Sequence, residues 1–317
     1  MLRFFKVENS VIRNLEAEPE DYPAAIKGAD WIDALSPDDE ERRLLDSVVT
    51  DELPEVDDMD EIEATARFFV IGPEVHIHSL FLTQAEGRHR TSSVACIMQP
   101  GRLLTIRDDE LADFRLLRMR ARRGQVECRD PSELLLTLLD QKVENLADTI
   151  EDLHHTLEKE SHTVLEEHDS ELNQAIDTLA ALEDSSGKIR LCLMDTQRAV
   201  TFLQRHLRGQ DAAQEFCRDI LRDIDTLMSH TTFLFEKINF LMDSTQGFIN
   251  IRQNQTIKTF SIAAVVFLPP TLIASIYGMN FNIMPELSQP YGYPVALGAM
   301  LASAVAPYLF FKFKGWL

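Results

Sequence analysis

Cysteine is scarce in this sequence, with four residues in 317, and no two of them form a C-x-x-C pair. Scattered cysteines of this kind fit a reduced compartment and predict neither a disulfide framework nor a zinc knuckle. The opening stretch MLRFFKVE also lacks the apolar core of a cleaved signal. We therefore expect the N-terminal part of the chain to stay in the cytoplasm.

Nucleotide-binding and hydrolytic motifs are missing as well. The sequence contains no G-x-x-x-x-G-K-[ST] loop, and no nucleophile is accompanied by a local base. We therefore expect neither an ATP-driven pump nor an enzyme. Membrane potential supplies ~2.3 kcal/mol per charge per 100 mV, and so ~4.6 kcal/mol for a divalent cation, which is ample for passive uptake.

Positive charge is in short supply over most of the chain. The formal net charge is −21, yet residues 254–317 hold one acid and three bases, so residues 1–253 carry −23. Such an acidic region concentrates cations and is a poor partner for nucleic acid and for anionic lipid surfaces. Cations are therefore the expected partners of residues 1–253.

Two long runs near the C-terminus contain no charge. Thr259 to Tyr277 is nineteen residues and Tyr291 to Phe311 is twenty-one, each close to the ~20 residues that cross a bilayer as a helix. We predict membrane spans at about 259–278 and 291–311. The segment between them carries one charge, Glu286, which either raises the local cation concentration at an outer mouth or is simply a solvated acid.

Basic residues flank the two spans on their outer sides and are absent between them. They are Arg252 and Lys258 before the first span and Lys312 and Lys314 after the second. Because short cytoplasmic flanks carry the Lys/Arg excess, both termini are expected in the cytoplasm.

The first hundred residues predict a mixed α/β region. Short β-branched or aromatic runs at 66–71, 75–82, 91–98 and 102–107 are separated by Gly and Pro, which indicates an antiparallel sheet. An acidic helix is expected to begin near Ser36, with Ser36 as its N-cap.

Several histidines and arginines invite a binding interpretation that we do not favour. His76 and His78 face the same way on a predicted strand, but packing is expected rather than metal binding. Arginines in 114–123 are expected in salt bridges rather than at an anion site. Four further histidines are interpreted as solvated: His154, His155, His162 and His168.

Helical periodicity dominates after residue 109. Asp130 caps a helix expected to run to about Val164, and a second helix covers 172–207 with an interruption near Ser185–Gly187. The third is predicted at 211–278, about 100 Å long. Its apolar or small residues recur as a coiled-coil seam at Ile220, Ile224, Leu227, Thr231, Leu234, Ile238, Leu241 and Thr245.

One stripe of the first span suits a pore lining, because two spans per chain cannot enclose a pore and several copies must contribute. Close helix packing through small residues is the alternative. Phe260, Val266, Phe267 and Ile273 lie elsewhere, and Pro269-Pro270 should kink the helix. The stripe is small or polar at five of seven positions: Asn254, Ile257, Ser261, Ala264, Leu268, Thr271 and Ser275.

Five stretches share a known pattern: LCLMDTQR at 191–198, GFINI at 247–251, YGMNFNIMPEL at 277–287, GYP at 292–294 and KFKGWL at 312–317. Together they resemble the CorA family of magnesium and cobalt transporters, closest to its proteobacterial members. The resemblance implies a homopentamer in the bacterial inner membrane. It implies an outer selectivity filter of Gly278, Met279 and Asn280. It further implies a regulatory metal position at Asp219 and a pore past Thr271, Leu268, Ala264, Phe260, Ile257 and Asn254.

The expected function is uptake of Mg²⁺, with Co²⁺ and Ni²⁺ as further candidates, gated by cytoplasmic Mg²⁺ and needing no organic cofactor. The amide oxygen of Asn280 suits a hydrated ion that gives up water reluctantly. A zinc carrier of the related branch and a non-conducting, membrane-anchored sensor are the alternatives. The expected fold is an α+β cytoplasmic domain (1–125), a helical stalk region (126–253) and a transmembrane hairpin (254–317).

Overall fold

The computed structural model describes residues 1–8, 11–50, 53, 67–166, 172–280, 284–285 and 289–316. The chain divides into two compact units, Met1–Met242 and Asp243–Leu317. The first unit combines a β-sheet with helices, and the described part of the second is helical.

Among the described residues, seven strands form one sheet: β1 (Leu2–Glu8), β2 (Val11–Leu15), β3 (Trp31–Leu35), β4 (Phe68–Ile71), β5 (Glu74–Ala85), β6 (Arg88–Gln99) and β7 (Arg102–Arg107). Their order is β2-β1-β3-β7-β6-β5-β4. All neighbours are antiparallel except β3 and β7, which pair in parallel with Trp31 opposite Leu103.

The sequence predicts β4 to β7, but it misses the first three strands, and the prediction of a purely antiparallel sheet is wrong at the β3–β7 pair. The reason is the central position of β3. Its residues from Trp31 to Ala34 are all buried, so it lacks the alternation of apolar and polar residues that marks a half-exposed strand.

Seven α-helices occur in the described residues: α1 (Tyr22–Gly28), α2 (Asp39–Asp46), α3 (Ala112–Arg122), α4 (Pro131–Glu166), α5 (Leu172–His206), α6 (Asp211–Tyr277) and α7 (Gly292–Phe313). A 3-10 turn, Pro19–Asp21, precedes α1. Ile26 of α1 and Leu45 of α2 join the core on one face of the sheet. Phe114 of α3 packs near Trp31 and Phe81 on the other face.

The predicted N-cap at Ser36 is wrong. The cap of α2 is Asp38, whose side chain accepts from the backbone N–H groups of Glu40 and Glu41, while the Glu41 carboxylate accepts from the Asp38 N–H. Ser36 has a φ of 42°, and its N–H donates to the Arg107 carbonyl at 2.7 Å. It therefore ends β3, since an N-cap needs extended backbone.

The predicted start of α4 is confirmed, because Asp130 Oδ1 accepts from the N–H groups of Ser132 and Glu133. The predicted interruption near Ser185–Gly187 is wrong, because α5 is continuous from Leu172 to His206. Ser185 and Ser186 are buried, and Ser185 Oγ lies 3.0 Å from His89 Nδ1 on β6. Packing against the sheet here outweighs weak helix propensity.

The long third helix is confirmed as α6, a single element of 67 residues. The predicted seam is largely buried within one chain. Leu227 is half-buried, and the buried members are Ile220, Ile224, Thr231, Leu234, Ile238, Leu241 and Thr245. Side chains beside the seam contact α4 and α5: Phe233 stacks near His154, Thr232 accepts from Arg190, and Asp225 accepts from Gln197.

A buried polar cluster fixes α5 to the sheet. Asp195 of α5 accepts from Ser79 Oγ at 2.6 Å and from the Leu80 N–H at 2.8 Å on β5. Lys142 of α4 donates to Ser79 Oγ at 2.9 Å and lies 3.7 Å from Asp195, and Arg67 lies 3.4 Å from it. Removing the carboxylate would leave two buried cations without their counter-charge.

We expect Asp195→Ala to destabilise the first unit by about 3–5 kcal/mol. Thermal unfolding of the full-length protein in detergent should show a midpoint lower by roughly 10 °C. Asp177→Ala, at an exposed position of the same helix, is the matched control and should shift the midpoint little. Equal shifts in both variants would contradict the role given to Asp195.

Candidate ion pathway

Two helices of the described chain are long and apolar enough to cross a membrane, α6 by its C-terminal part and α7. They correspond to the spans predicted at 259–278 and 291–311. Few of their side chains are buried, with Ile262 on α6 and Ala296 on α7 the fully buried apolar residues of the second unit among those described. Most of this apolar surface is thus left for lipid or for other copies of the chain.

One face of α6 packs toward α7. Ile262 is buried, and Val266, Pro269, Ile273 and Tyr277 are half-buried, in steps of three and four that define one side of a helix. A crevice lined by residues of both helices lies along this side. Val266 and Ile273 thus lie on this side of α6, away from the predicted lining stripe.

The predicted lining stripe lies on the other side of α6. Counted at 100° per residue, its centre is about 150° from the packed face. Leu268 is 66% exposed, and the remaining members are exposed on the single chain as well: Asn254, Ile257, Ser261, Ala264, Thr271 and Ser275. The stripe is therefore free to meet equivalent stripes of other copies.

Phe260 flanks this stripe rather than belonging to it, about 70° from its centre. The side chain is 72% exposed. Phe267, on the same flank, is 68% exposed and lines the edge of the crevice beside Val266.

The hydroxyl oxygen of Thr271, a member of the stripe, is available as a hydrogen-bond acceptor. The Thr271 hydroxyl donates to the Phe267 carbonyl at 2.7 Å, so its proton is occupied while its lone pairs remain available. Pro269 and Pro270 lie just before it within the helix and withhold two backbone donors. This turn of α6 is suited to accept hydrogen bonds from the water shell of a cation.

The Gly-Met-Asn triplet follows directly on the end of α6. The Gly278 N–H donates to the Ala274 carbonyl at 3.0 Å, and that of Met279 donates to Ile276 at 3.2 Å. A Cβ at Gly278 would lie 3.2 Å from the Ala274 carbonyl oxygen, which is closer than ordinary van der Waals contact. Glycine has no Cβ and fits this position without displacing that oxygen. Asn280 is exposed, and Glu286 lies outside the described residues.

Asp219, the candidate regulatory position, is exposed on α6 in the first unit and lies 3.3 Å from Arg222. Nearby, partial burial and repulsion from Glu144 and Asp223 raise the pKa of Asp140 to about 6. The sequence analysis missed this pairing of α4 and α6 acids, because the two residues meet only through tertiary packing.

The remaining candidates from the sequence, His76 and the arginines of α3, make packing contacts and ion pairs. His76 stacks on Phe69 at 4.7 Å, and no group of three potential metal ligands occurs in the part of the chain that the structure describes. In the α3 region Arg118 pairs with Asp33 and Glu110. Burial would raise the pKa of Glu110, but the Arg118 hydrogen bond and nearby arginines lower it to about 2.

His154, His155 and His162 are exposed, in line with the solvated interpretation. His168 lies outside the described residues.

These features define a class of protein: an α/β unit with long helices, joined in sequence to two helices that are long and apolar enough to cross a membrane, with an exposed Asn280 just after the first of them. The family model described as CorA-like Mg²⁺ transporter protein matches residues 27–312. The chain belongs to this family, as its sequence motifs predicted. The family consists of transporters, so the chain is not an enzyme.

Relatives and solved structures agree with this assignment. The chain is 48% identical to the magnesium transport protein CorA of Escherichia coli (strain K12) and 47% identical to that of Salmonella typhimurium (strain LT2), over the full length of each. The structure of the CorA magnesium transporter from Methanocaldococcus jannaschii superposes with a TM-score of 0.76 at 20% identity, covering 100% of this chain and 99% of that one. This confirms the predicted fold class.

A more distant likeness concerns the first unit. The ZntB cytoplasmic domain from Vibrio parahaemolyticus has a TM-score of 0.58 at 12% identity, covering 77% of this chain and 96% of that one. At this identity the likeness concerns the fold alone.

The two faces of α6 make a prediction about water access. Cysteines at Thr271 and Ser275 should react with an aqueous thiol reagent at least about tenfold faster than cysteines at Val266 and Ile273, which pack toward α7. Rates are measured in the protein reconstituted in vesicles. The four native cysteines are buried and serve as the unreactive background, and equal rates on both faces would exclude the stripe as a lining.

Proposed function

We propose that this chain mediates Mg²⁺ uptake across the bacterial inner membrane as a homopentameric channel. The observation that carries the proposal is the small and polar stripe of α6, exposed opposite the α7-facing side and followed by Asn280. The full-length relatives named magnesium transport protein support Mg²⁺ as the ion.

The oligomer follows from the number of spans. Two helices per chain cannot surround a pore, so α6 stripes from several copies must face one another, and the family resemblance gives five. The basic flanks place both termini in the cytoplasm, with residues 1–125 and 126–253 on that side and 254–317 in the membrane. A negative cell interior then drives a divalent cation inward with ~4.6 kcal/mol per 100 mV.

The proposed pathway offers neutral oxygens to a hydrated ion. Magnesium dehydrates reluctantly, so a ring of Asn280 amide oxygens would hold its water shell by hydrogen bonds without trapping the ion. Gly278 and Met279 shape that mouth, and Glu286 would enrich cations outside it. Further along, the pathway would pass Thr271, Leu268, Ala264, Phe260, Ile257 and Asn254, with Ser275 near the mouth and Phe260 as a hydrophobic constriction.

Flux through the reconstituted protein tests this function. In vesicles containing only the full-length chain, an inside-negative potential should drive Mg²⁺ entry, and Asn280→Ala should reduce the initial rate by about tenfold or more, or ~1.4 kcal/mol in the barrier. Asn239→Ala, the same change at an exposed position of the first unit, should leave the rate unchanged.

Absence of flux for any divalent ion would contradict a transport function and leave a non-conducting sensor. Competition by Co²⁺, Ni²⁺ and Zn²⁺ in the same assay ranks the ions. A Zn²⁺ rate above that of Mg²⁺ would replace the proposal by the zinc alternative.

We also propose that cytoplasmic Mg²⁺ closes the channel through Asp219. Carboxylates of neighbouring copies repel one another until a cation lies between them, so bound Mg²⁺ favours a tight assembly. The ion has to compete with Arg222, the intrachain partner at 3.3 Å. That competition suits a sensor that releases its ion when cytoplasmic Mg²⁺ falls.

Asp219→Asn should therefore weaken Mg²⁺-dependent protection of α6 from protease and raise the internal Mg²⁺ concentration at which uptake stops, each by about fivefold, or ~1 kcal/mol. Asp225→Asn is the matched control, because Asp225 accepts a hydrogen bond from Gln197 at 2.9 Å within its own chain. Protection and shut-off curves that coincide with wild type in Asp219→Asn would place the sensor elsewhere.

A further inference from the structure

The second unit contains a crevice that the proposed ion pathway does not use. It has a volume of about 490 Å³ and lies on the side of α6 that packs toward α7. Its walls are Gln255, Lys258, Thr259, Ile262, Ala263, Val266 and Phe267 of α6, with Tyr308 of α7 and Trp316 beyond it. It is thus separate from the stripe that faces other copies.

The walls of this crevice change from polar to apolar along the axis of α6. Gln255, Lys258 and Thr259 form one end, and Val266 and Phe267 form the other, roughly 18 Å further along the helix axis. The Thr259 hydroxyl donates to the Gln255 carbonyl at 3.0 Å, so the donors left for a ligand at this end are the Lys258 ammonium and the Gln255 amide. These walls suit a ligand whose charged group lies at the polar end and whose hydrocarbon chain runs along the rest of the crevice.

The net positive charge of the second unit favours an anionic ligand. The second unit, residues 243–317, contains four basic residues and two acids, Asp243 and Glu286, in contrast to the strongly acidic remainder of the chain. Of the four, Lys258 lines the crevice, whereas Arg252, Lys312 and Lys314 are not among its lining residues. Basic pockets between membrane helices on the cytoplasmic side attract anionic headgroups.

Two aromatic rings complete the wall. Trp316 stacks on Phe311 with ring centroids 5.7 Å apart, so its indole is held beside the crevice. Tyr308 lies on α7, about one turn before Phe311. Tryptophan and tyrosine prefer the level of lipid headgroups, where an apolar ring and a polar tip are both accommodated.

We propose that this crevice binds an anionic phospholipid, with its phosphate at Lys258 and Gln255 and an acyl chain along Ile262, Ala263 and Val266. The proposal rests on the membrane placement given under Proposed function, but not on ion conduction. The bound lipid would connect α6 to α7 on the side away from the pathway.

Native mass spectrometry of the full-length protein in detergent tests the site, with dioleoyl phosphatidylglycerol and dioleoyl phosphatidylcholine as probes at equal concentration. Wild type should retain the anionic lipid about fivefold better, since one lysine near the headgroup contributes about that factor. Lys258→Gln should remove this preference. Lys314→Gln deletes the same charge from the same unit without lining the crevice and should keep it.

Ala263→Phe fills the middle of the crevice and should lower retention of both lipids. Equal retention of the two lipids by wild type, equal losses in Lys258→Gln and Lys314→Gln, or undiminished retention in Ala263→Phe would each overturn the proposal. Retention is read without any flux, so its failure is distinguishable from a failure of Mg²⁺ conduction.

A second measurement reports on the crevice through the fluorescence of Trp316, one of its walls. The chain has two tryptophans, and Trp31 is fully buried in the sheet, so brominated lipid quenches Trp316 selectively. In vesicles of otherwise equal composition, brominated phosphatidylglycerol should quench more than brominated phosphatidylcholine, and Trp316→Phe should abolish the difference. Equal quenching by the two lipids would overturn the proposal.

Discussion

In α6 a single hydrogen-bonded backbone runs from Asp211 to Tyr277, while its side chains change from charged to uncharged after Lys258. Hydrocarbon offers no partner for a free N–H or C=O, so a chain that enters it has to satisfy these groups internally. A helix meets that requirement. Pro269 and Pro270 interrupt this pattern locally, because they lack the N–H groups that would donate to the carbonyls of Val265 and Val266. The exposed hydroxyl of Thr271 is satisfied within the helix, since it donates to the Phe267 carbonyl.

The same helix buries different residue types in its two parts. In the first unit the buried face is the apolar seam around Ile224 and Leu234, because water drives apolar side chains inward. In lipid this driving force is lost, and close packing and polar contacts between helices take over. The exposed small and polar stripe of the second unit suits such contacts between copies of the chain in a bilayer, and it is the lining surface of the proposed pathway.

Local and periodic signals account for what the sequence predicted. The Asp130 cap, the length of α6 and the two apolar spans each depend on residues close together in the chain. The wrong predictions concern residues whose structure depends on distant parts of the chain. β3 is buried on both faces by distant elements, and Ser185 and Ser186 remain helical because they pack against β6.

Of the candidate pathway, periodicity identified the stripe and its separation from Val266 and Ile273. The crevice depends on where Tyr308 and Trp316 come to lie beside α6, which no pattern within α6 reveals.

The distribution of carboxylates bears on how a divalent ion would pass. An ion that holds its water tightly is slowed by any site that replaces that water with charged oxygens. Here the described stripe has hydroxyl, amide and apolar groups, and the carboxylates of α6 lie at Asp219, Asp223, Asp225 and other positions up to Asp243. Weak neutral contacts in the span favour rapid passage, while charged contacts in the acidic unit favour residence. The pathway and the sensor proposed for this ion therefore need opposite chemistry: neutral oxygens along the stripe and carboxylates around Asp219.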